Sequence, residues 1–220
     1  MNTLIAIPAF NSQNNLNILI NKISKITDND ILVYDDGSTP EIIINQNCEN
    51  TLKILRNKIN KGKGHVLKKS FDYGLINNYS HILTIDSDMQ HDPEQINAFL
   101  KADSDILLVS GRRYFSKRMP LHRRLSNYIT SAIISFLVKN KIFDSQCGYR
   151  RYKLSLLSGQ DFEEDGFQFE SEILLKCINK NTSIEHVDIP TIYNNSNSSI
   201  KNISDTFKFI KLIGRHCFVR

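Results

Sequence analysis

Short apolar runs recur along this chain, each stopping at a polar turn and most leading into a segment with helical spacing. That alternation limits the fold more than any other feature. Thr3 to Pro8, Ile31 to Tyr34, Ile82 to Ile85 and Ile106 to Val109 are rich in β-branched residues and read as buried strands. After the first, Leu16, Leu19, Ile20, Ile23 and Ile26 recur with a period near 3.6, the signature of an amphipathic helix. Leu67, Phe71 and Leu75 mark another. Strands alternating with helices build βαβ units, so the expected class is α/β, Rossmann-like, with a mostly parallel central sheet flanked by helices. A chain of 220 residues suffices for one such domain, 1–220. Asn194 to Ser199 is a loop too short to divide it.

The run Ile82 to Ile85 ends at Asp86-Ser87-Asp88, followed by Met89-Gln90-His91. Two carboxylates one residue apart are poor core material, because buried charge is costly unless paired or bound to metal. Mg²⁺ or Mn²⁺ fits such a pair, since hard cations take oxygen ligands and leave places for substrate phosphates. The alternative is a helix cap, a job that Asp92-Pro93-Glu94 can do without them.

Ile31 to Tyr34 ends at Asp35-Asp36-Gly37-Ser38, where glycine and serine suit a tight turn and Ser38 or Thr39 before Pro40 suits a helix start. Ligands of open α/β sheets bind beyond the carboxyl ends of strands. Carboxylates there can accept from ribose hydroxyls or a base N–H; the alternative is an ordinary acidic turn. The first strand runs into Asn11 and Ser12, either of which can cap the next helix. Asn60-Lys61-Gly62-Lys63-Gly64 opens another helix, with glycine backbone and the Lys63 charge suited to phosphate. It is not a P-loop, and a solvated basic turn is equally compatible.

From Arg112 to Arg124 basic residues interleave with Tyr114, Phe115, Met119 and Leu121. Guanidinium forks suit phosphate, and cationic side chains suit anionic lipid headgroups; a solvated loop is the alternative. Phe207 to Arg215 is basic and amphipathic, so it either lies on a membrane surface or packs Phe207, Ile210 and Ile213 on the domain. Ile129 to Val138 is about half the ~20 residues a spanning helix needs and reads as buried or interfacial. The net charge of +5 is mild. Nucleic acid is an unsuitable partner, because no recognition module is legible and acidic strand ends oppose phosphate. Cys48, Cys147, Cys177 and Cys217 lack C-x-x-C spacing, which points to reduced thiols in the cytosol. The first strand begins at once, leaving no room for a signal peptide.

The ordered set I-P-A-F-N, D-D-G-S, N-K-G-K-G, D-S-D-M-Q-H-D-P-E, then Ser110-Gly111-Arg112, Asp144 to Arg150 and Gly166 to Glu172, resembles the family 2 glycosyltransferases. It is most similar to the branch containing dolichol-phosphate mannose synthase and the bacterial polyprenyl-phosphate glycosyltransferases. The resemblance covers nearly the whole chain. It implies a single GT-A-like domain, with a nucleotide-sugar part about 1–111 and an acceptor part about 112–220. It implies inverting transfer from a nucleoside-diphosphate sugar, UDP- or GDP-linked, most often to a polyprenyl or dolichyl phosphate in cell-envelope glycan synthesis. Pro8, Asn11, Asp35, Asp36, Lys63 and Asp86 would hold the donor. Asp88 and Gln90, with Asp86 nearby, would hold the metal. Arg118 and Arg123, with Arg124 close behind, would contact an acceptor phosphate. A sugar-hydroxyl acceptor would instead need a base, for which Asp144, Glu170 and Glu172 are candidates, though Glu170 and Glu172 also suit a helix N-terminus. The family often has an acid after the Asn of the first motif, and here Ser12 and Gln13 follow, leaving the base identity open. The remaining alternatives are transfer to a glycan hydroxyl and a non-catalytic nucleotide-sugar-binding subunit with a separate membrane partner. The expected location is cytoplasmic, with peripheral contact at the membrane face.

Overall fold

The computed structural model describes residues 1–44, 50–114, 121–192 and 202–218. Its centre is a seven-stranded sheet. The strands are β1 (Thr3–Ala9), β2 (Ile31–Asp35), β3 (Leu52–Arg56), β4 (His81–Thr84), β5 (Leu108–Arg113), β6 (Arg150–Lys153) and β7 (Ile184–Ile189). The helices are α1 (Gln13–Ser24), α2 (Lys63–Ile76), α3 (Ile96–Lys101), α4 (Leu121–Val138), α5 (Leu154–Leu157), α6 (Phe169–Cys177) and α7 (Asn202–Phe218). The strand order is β3-β2-β1-β4-β6-β5-β7, and only β6 runs against its neighbours.

Both sheet faces are covered, which is why the central strands read as continuous apolar runs rather than alternating ones. Leu4, Ala6, Leu32 and Ile82 face α2, α4 and α6, meeting Leu67, Phe71, Ile134, Phe169 and Ile173. Ile5, Ile7, Val33 and Leu83 face the opposite way, onto Leu16, Leu19, Ile20 and Ile23 of α1 and Phe99 of α3.

The chain leaves β1 toward β2 on one side and pairs β1 with β4 on the other. That reversal opens a crevice at the strands' carboxyl ends, the usual ligand position in open α/β sheets. Because β6 is antiparallel, its amino end reaches the same edge, bringing residues 144–149 to the crevice.

Four local expectations shift. β5 starts later than Ile106 and continues through Arg113, because β7 pairs with it as far as Arg113↔Ile189. Arg112 and Arg113 are therefore strand residues rather than loop residues. No helix follows Pro40 in residues 41–44. Ser12 takes the N-cap position of α1, but its hydroxyl makes no cap bond. On α7, Phe209, Leu212 and Ile213 pack inward, whereas Phe207 and Ile210 are exposed, so the helix is rotated from the expected packing.

Candidate active site

The crevice gathers five segments. Asp35 and Asp36 follow β2 and are buried. Asp35 accepts from the Ser38 amide at 2.9 Å and hydroxyl at 2.5 Å, and Arg56 Nη1 lies 3.2 Å from its other oxygen. Asp36 accepts from Asn57 Nδ2 at 2.7 Å, the Lys61 amide at 2.9 Å and the Gly62 amide at 2.7 Å. The acidic pair thus braces its own turn and ties it to the N-K-G-K-G loop. Asn11, at φ 49°, joins in: its amide donates to Ser38 Oγ at 2.8 Å, and its Oδ1 accepts from the Thr39 amide at 2.9 Å. Pro8 stands beside it, partly exposed near the end of β1.

Lys63 does not point at open space. Its ammonium lies 2.6 Å from Asp86 and 2.9 Å from Glu170 of α6. Burial opposes its charge, but the two carboxylates outweigh burial and hold it protonated. The first amides of α2 are also taken, since Gly64 N and His65 N donate to the Asp165 carbonyl at 2.7 and 3.2 Å. Gly148 closes on the same cluster: a Cβ there would stand 2.6 Å from Glu170 Oε1 and 2.9 Å from Lys63 Nζ.

The D-S-D segment follows β4. Burial raises the Asp86 carboxyl, and Lys63 more than reverses that, so the group stays ionised. Asp88 differs: burial and the neighbouring Asp86 charge push it up, against a hydrogen bond from the Gln90 amide at 2.9 Å. An anion whose charge is disfavoured by a second anion is a natural place for a divalent cation. Among the described residues no group of three His, Cys, Asp or Glu is assembled to hold a metal alone. Oxygen donors of this kind could hold Mg²⁺ or Mn²⁺ together with substrate phosphates: Asp88 would offer its carboxylate and Asp86 one shared with Lys63, and Gln90 stands partly exposed next to them. His91, behind Asp86 at 4.0 Å, is pushed down to about 4 by burial and is neutral. Burial pushes the adjacent Cys147 thiol up to about 12, leaving it unreactive.

Farther along the crevice, Arg113 grips Asp144 with two parallel bonds of 2.7 and 2.9 Å. Asn127 of α4 donates to Asp144 at 3.0 Å, and the Gln146 amide donates at 3.2 Å. Burial alone would raise the Asp144 carboxyl; the Arg113 guanidinium overrides it and holds the carboxyl below the ordinary range. Glu172 accepts from the Glu163 and Glu164 amides at 2.9 Å each and pairs with Lys176 at 2.9 Å. Arg112 pairs with Asp188 and lies 4.6 Å over the Phe143 ring. Arg118 lies outside the described residues. Arg123 and Arg124 sit half-buried in the first turn of α4, which is entered from the carboxyl end of β5.

The sequence reading did not single out Arg113, Gly148 or Arg150. Arg150 is fully buried, donating to the carbonyls of Ser145 at 2.8 Å and Glu170 at 3.0 Å, which fixes the 144–148 turn against α6. The only signals were the paired arginines of the basic segment and the glycine of C-G-Y-R.

A family model described as glycosyl transferase family 2 matches residues 4–159. The chain belongs to glycosyltransferase family 2. The protein MJ0544 of Methanocaldococcus jannaschii is 32% identical over 94% of this chain and 98% of its own length. The polyprenol monophosphomannose synthase of Mycolicibacterium smegmatis is 25% identical over 92% of this chain and 81% of its own. Glucosyl-3-phosphoglycerate synthase from Mycobacterium tuberculosis, solved with Mn²⁺, UDP and phosphoglyceric acid, superposes with a TM-score of 0.74 at 16% identity. That superposition covers 98% of this chain and 78% of that one. At that identity the likeness is one of fold, and the fold is GT-A. The family 2 chain is therefore a glycosyltransferase, and its crevice is the candidate site for a nucleotide sugar.

Proposed function

We propose that the chain transfers a sugar, with inversion, from a UDP- or GDP-linked donor to a polyprenyl phosphate, assisted by Mg²⁺ or Mn²⁺. The observation that carries the acceptor choice is the state of the three carboxylates eligible as a general base. Asp144 is saturated by Arg113, Asn127 and Gln146, Glu170 pairs with Lys63, and Glu172 holds two loop amides and Lys176. A sugar hydroxyl must lose a proton as it attacks, and each of these groups is committed elsewhere. A lipid phosphate is already an anion and needs no base. The polyprenol synthase relative supports the same choice.

In this reading the donor lies across the carboxyl ends of β1, β2 and β4, its nucleoside against Pro8, Asn11, Asp35 and Asp36. A divalent ion on Asp88 and Asp86, with Gln90 beside them, would act as a Lewis acid, neutralising charge gained by the leaving diphosphate. Lys63 keeps Asp86 ionised and pairs with Glu170, aligning the two. Arg113, fixed by Asp144, supplies positive charge between the two halves of the crevice. Arg118 and Arg123 receive the acceptor phosphate. The test is a panel of UDP- and GDP-sugars offered with polyprenyl phosphate or with free sugars, with and without Mn²⁺. Metal-dependent transfer to the lipid phosphate supports the reading, and transfer confined to sugar hydroxyls overturns it.

A further inference from the structure

Helix α7 fastens to the segment between α5 and α6 at two places. In its first turn Asp205 accepts from Gln168 Nε2 at 3.3 Å. In its last turn Arg215 donates to Glu163 at 2.7 Å and also pairs with Glu164. Between those contacts Phe209, Leu212 and Ile213 pack into the same core as Phe162 and Phe169. A lone surface ion pair contributes little. Here one guanidinium takes two consecutive carboxylates, and Glu164 keeps only 17% of its side-chain surface.

The other side of the same segment is fastened to the crevice. The amides of Glu163 and Glu164 donate to Glu172, so backbone and side chains are held from opposite directions. Next in the chain, the Asp165 carbonyl accepts from the Gly64 and His65 amides, and the Asp165 carboxylate lies 2.6 Å from Lys68. The approach is close enough to exclude side chains: a Cβ on Gly62 would stand 2.3 Å from the Asp165 carbonyl oxygen, and one on Gly64 2.6 Å from that of Glu164. Farther on, Glu170 meets Lys63, which meets Asp86. The N-K-G-K-G loop is thus seated on a segment whose outer edge α7 holds. Building on the donor reading of the crevice, we propose that Arg215 is a positioning residue for nucleotide-sugar binding: by pinning residues 163–165 it fixes the first turn of α2 and, through Glu170, the place of Lys63. Its effect travels through packed backbone and paired charges, and substitution measures it.

The test compares wild type with Arg215→Met, Arg215→Lys and Glu164→Gln, by amide hydrogen exchange without nucleotide and by calorimetry with UDP and GDP in the presence of Mn²⁺. In Arg215→Met the Gly64 and His65 amides should exchange at least about threefold faster, while the amides of β1 and β2 keep their protection. The nucleotide that wild type binds should bind about three- to tenfold more weakly. Lysine should restore part of both, because it lacks the fork that meets two carboxylates at once. Glu164→Gln should shift both readings the same way, and combined with Arg215→Met it should add little, because the two share one contact. Melting temperatures should stay close to wild type, since these pairs are partly solvated. Exchange at Gly64 and His65 that the substitutions leave unchanged overturns the proposal, as does unchanged affinity for a nucleotide that wild type binds. Loosening that spreads equally to β1 and β2 also overturns it, because Arg215 would then be a general brace of the fold. Wild type that binds neither nucleotide, with exchange at Gly64 and His65 still raised by Arg215→Met, would count against the donor reading alone.

Discussion

Replacing Asp144 with asparagine separates an anchor from a base. Asp144 is 1% exposed and Arg113 keeps 17% of its side-chain surface, so the pair is effectively out of water. Asparagine keeps the shape but leaves a buried guanidinium without its counter-charge. Breaking a buried pair by removing one partner costs about 3–5 kcal/mol. For a chain of this length that corresponds to a fall in Tm of roughly 6–20 °C. The assay is a thermal melt of wild type, Asp144→Asn, Arg113→Met and the double variant, with transfer to polyprenyl phosphate measured well below the lowest Tm. The double variant should be less destabilised than the two single effects summed, because it leaves no lone charge. Residual transfer by Asp144→Asn should persist, reduced through a looser Arg113. The pH dependence has a fixed sign. The folded carboxyl is held below its unfolded value, so its contribution is complete above about pH 4 and lost as pH falls through the folded value. Acid unfolding of Asp144→Asn should accordingly be shallower than that of wild type. A variant as stable as wild type yet devoid of transfer would refute the anchor reasoning and restore Asp144 as the base.

Asp88→Asn should weaken Mn²⁺-dependent UDP binding by calorimetry at least about tenfold, and Asp86→Asn less, since Lys63 already balances that group. Asp36→Ala should free the loop at residues 57–62, costing about 1.5–3 kcal/mol for each charged hydrogen bond lost, read as a lower Tm together with weaker nucleotide binding. Arg118→Ala or Arg123→Ala should raise the KM for polyprenyl phosphate while leaving donor affinity unchanged, with lysine restoring only part because it lacks the bidentate fork.

Legibility in the sequence followed burial. β1, β2 and β4 are buried on both faces, so their apolar runs announced them, and the acidic turns after β2 and β4 marked the crevice. β3 has the sequence Leu52-Lys53-Ile54-Leu55-Arg56 on the sheet edge, partly exposed, and drew no such signal. β6 opens with two arginines, a surface pattern by composition. Both are fully buried, their terminal guanidinium nitrogens donating to carbonyls of Ala102, Asp103, Ser145 and Glu170 that no local pattern reveals. The acidic motifs were placed correctly at the strand ends, but their partners lie far off in sequence. Lys63 meets Glu170 across 107 positions, and Arg113 meets Asp144 across 31. Side-chain type told which groups were costly to bury; only the fold told which of them neutralise each other. Helix α4 was legible only as the apolar run Ile129 to Val138; that its buried side includes Asn127, bonded to Asp144, is visible only in the fold.

The central claim is transfer to a lipid phosphate without a protein base, and its most direct measurement is the pH profile of single-turnover transfer to a short polyprenyl phosphate with Mn²⁺ and the preferred donor. The account predicts a rate that rises as the acceptor phosphate ionises near its second pKa of about 6 and then stays level, with no limb that Asp144→Asn, Glu170→Gln or Glu172→Gln removes. A limb abolished by any one of these substitutions, or no transfer to the lipid phosphate alongside efficient transfer to a sugar hydroxyl, would contradict it.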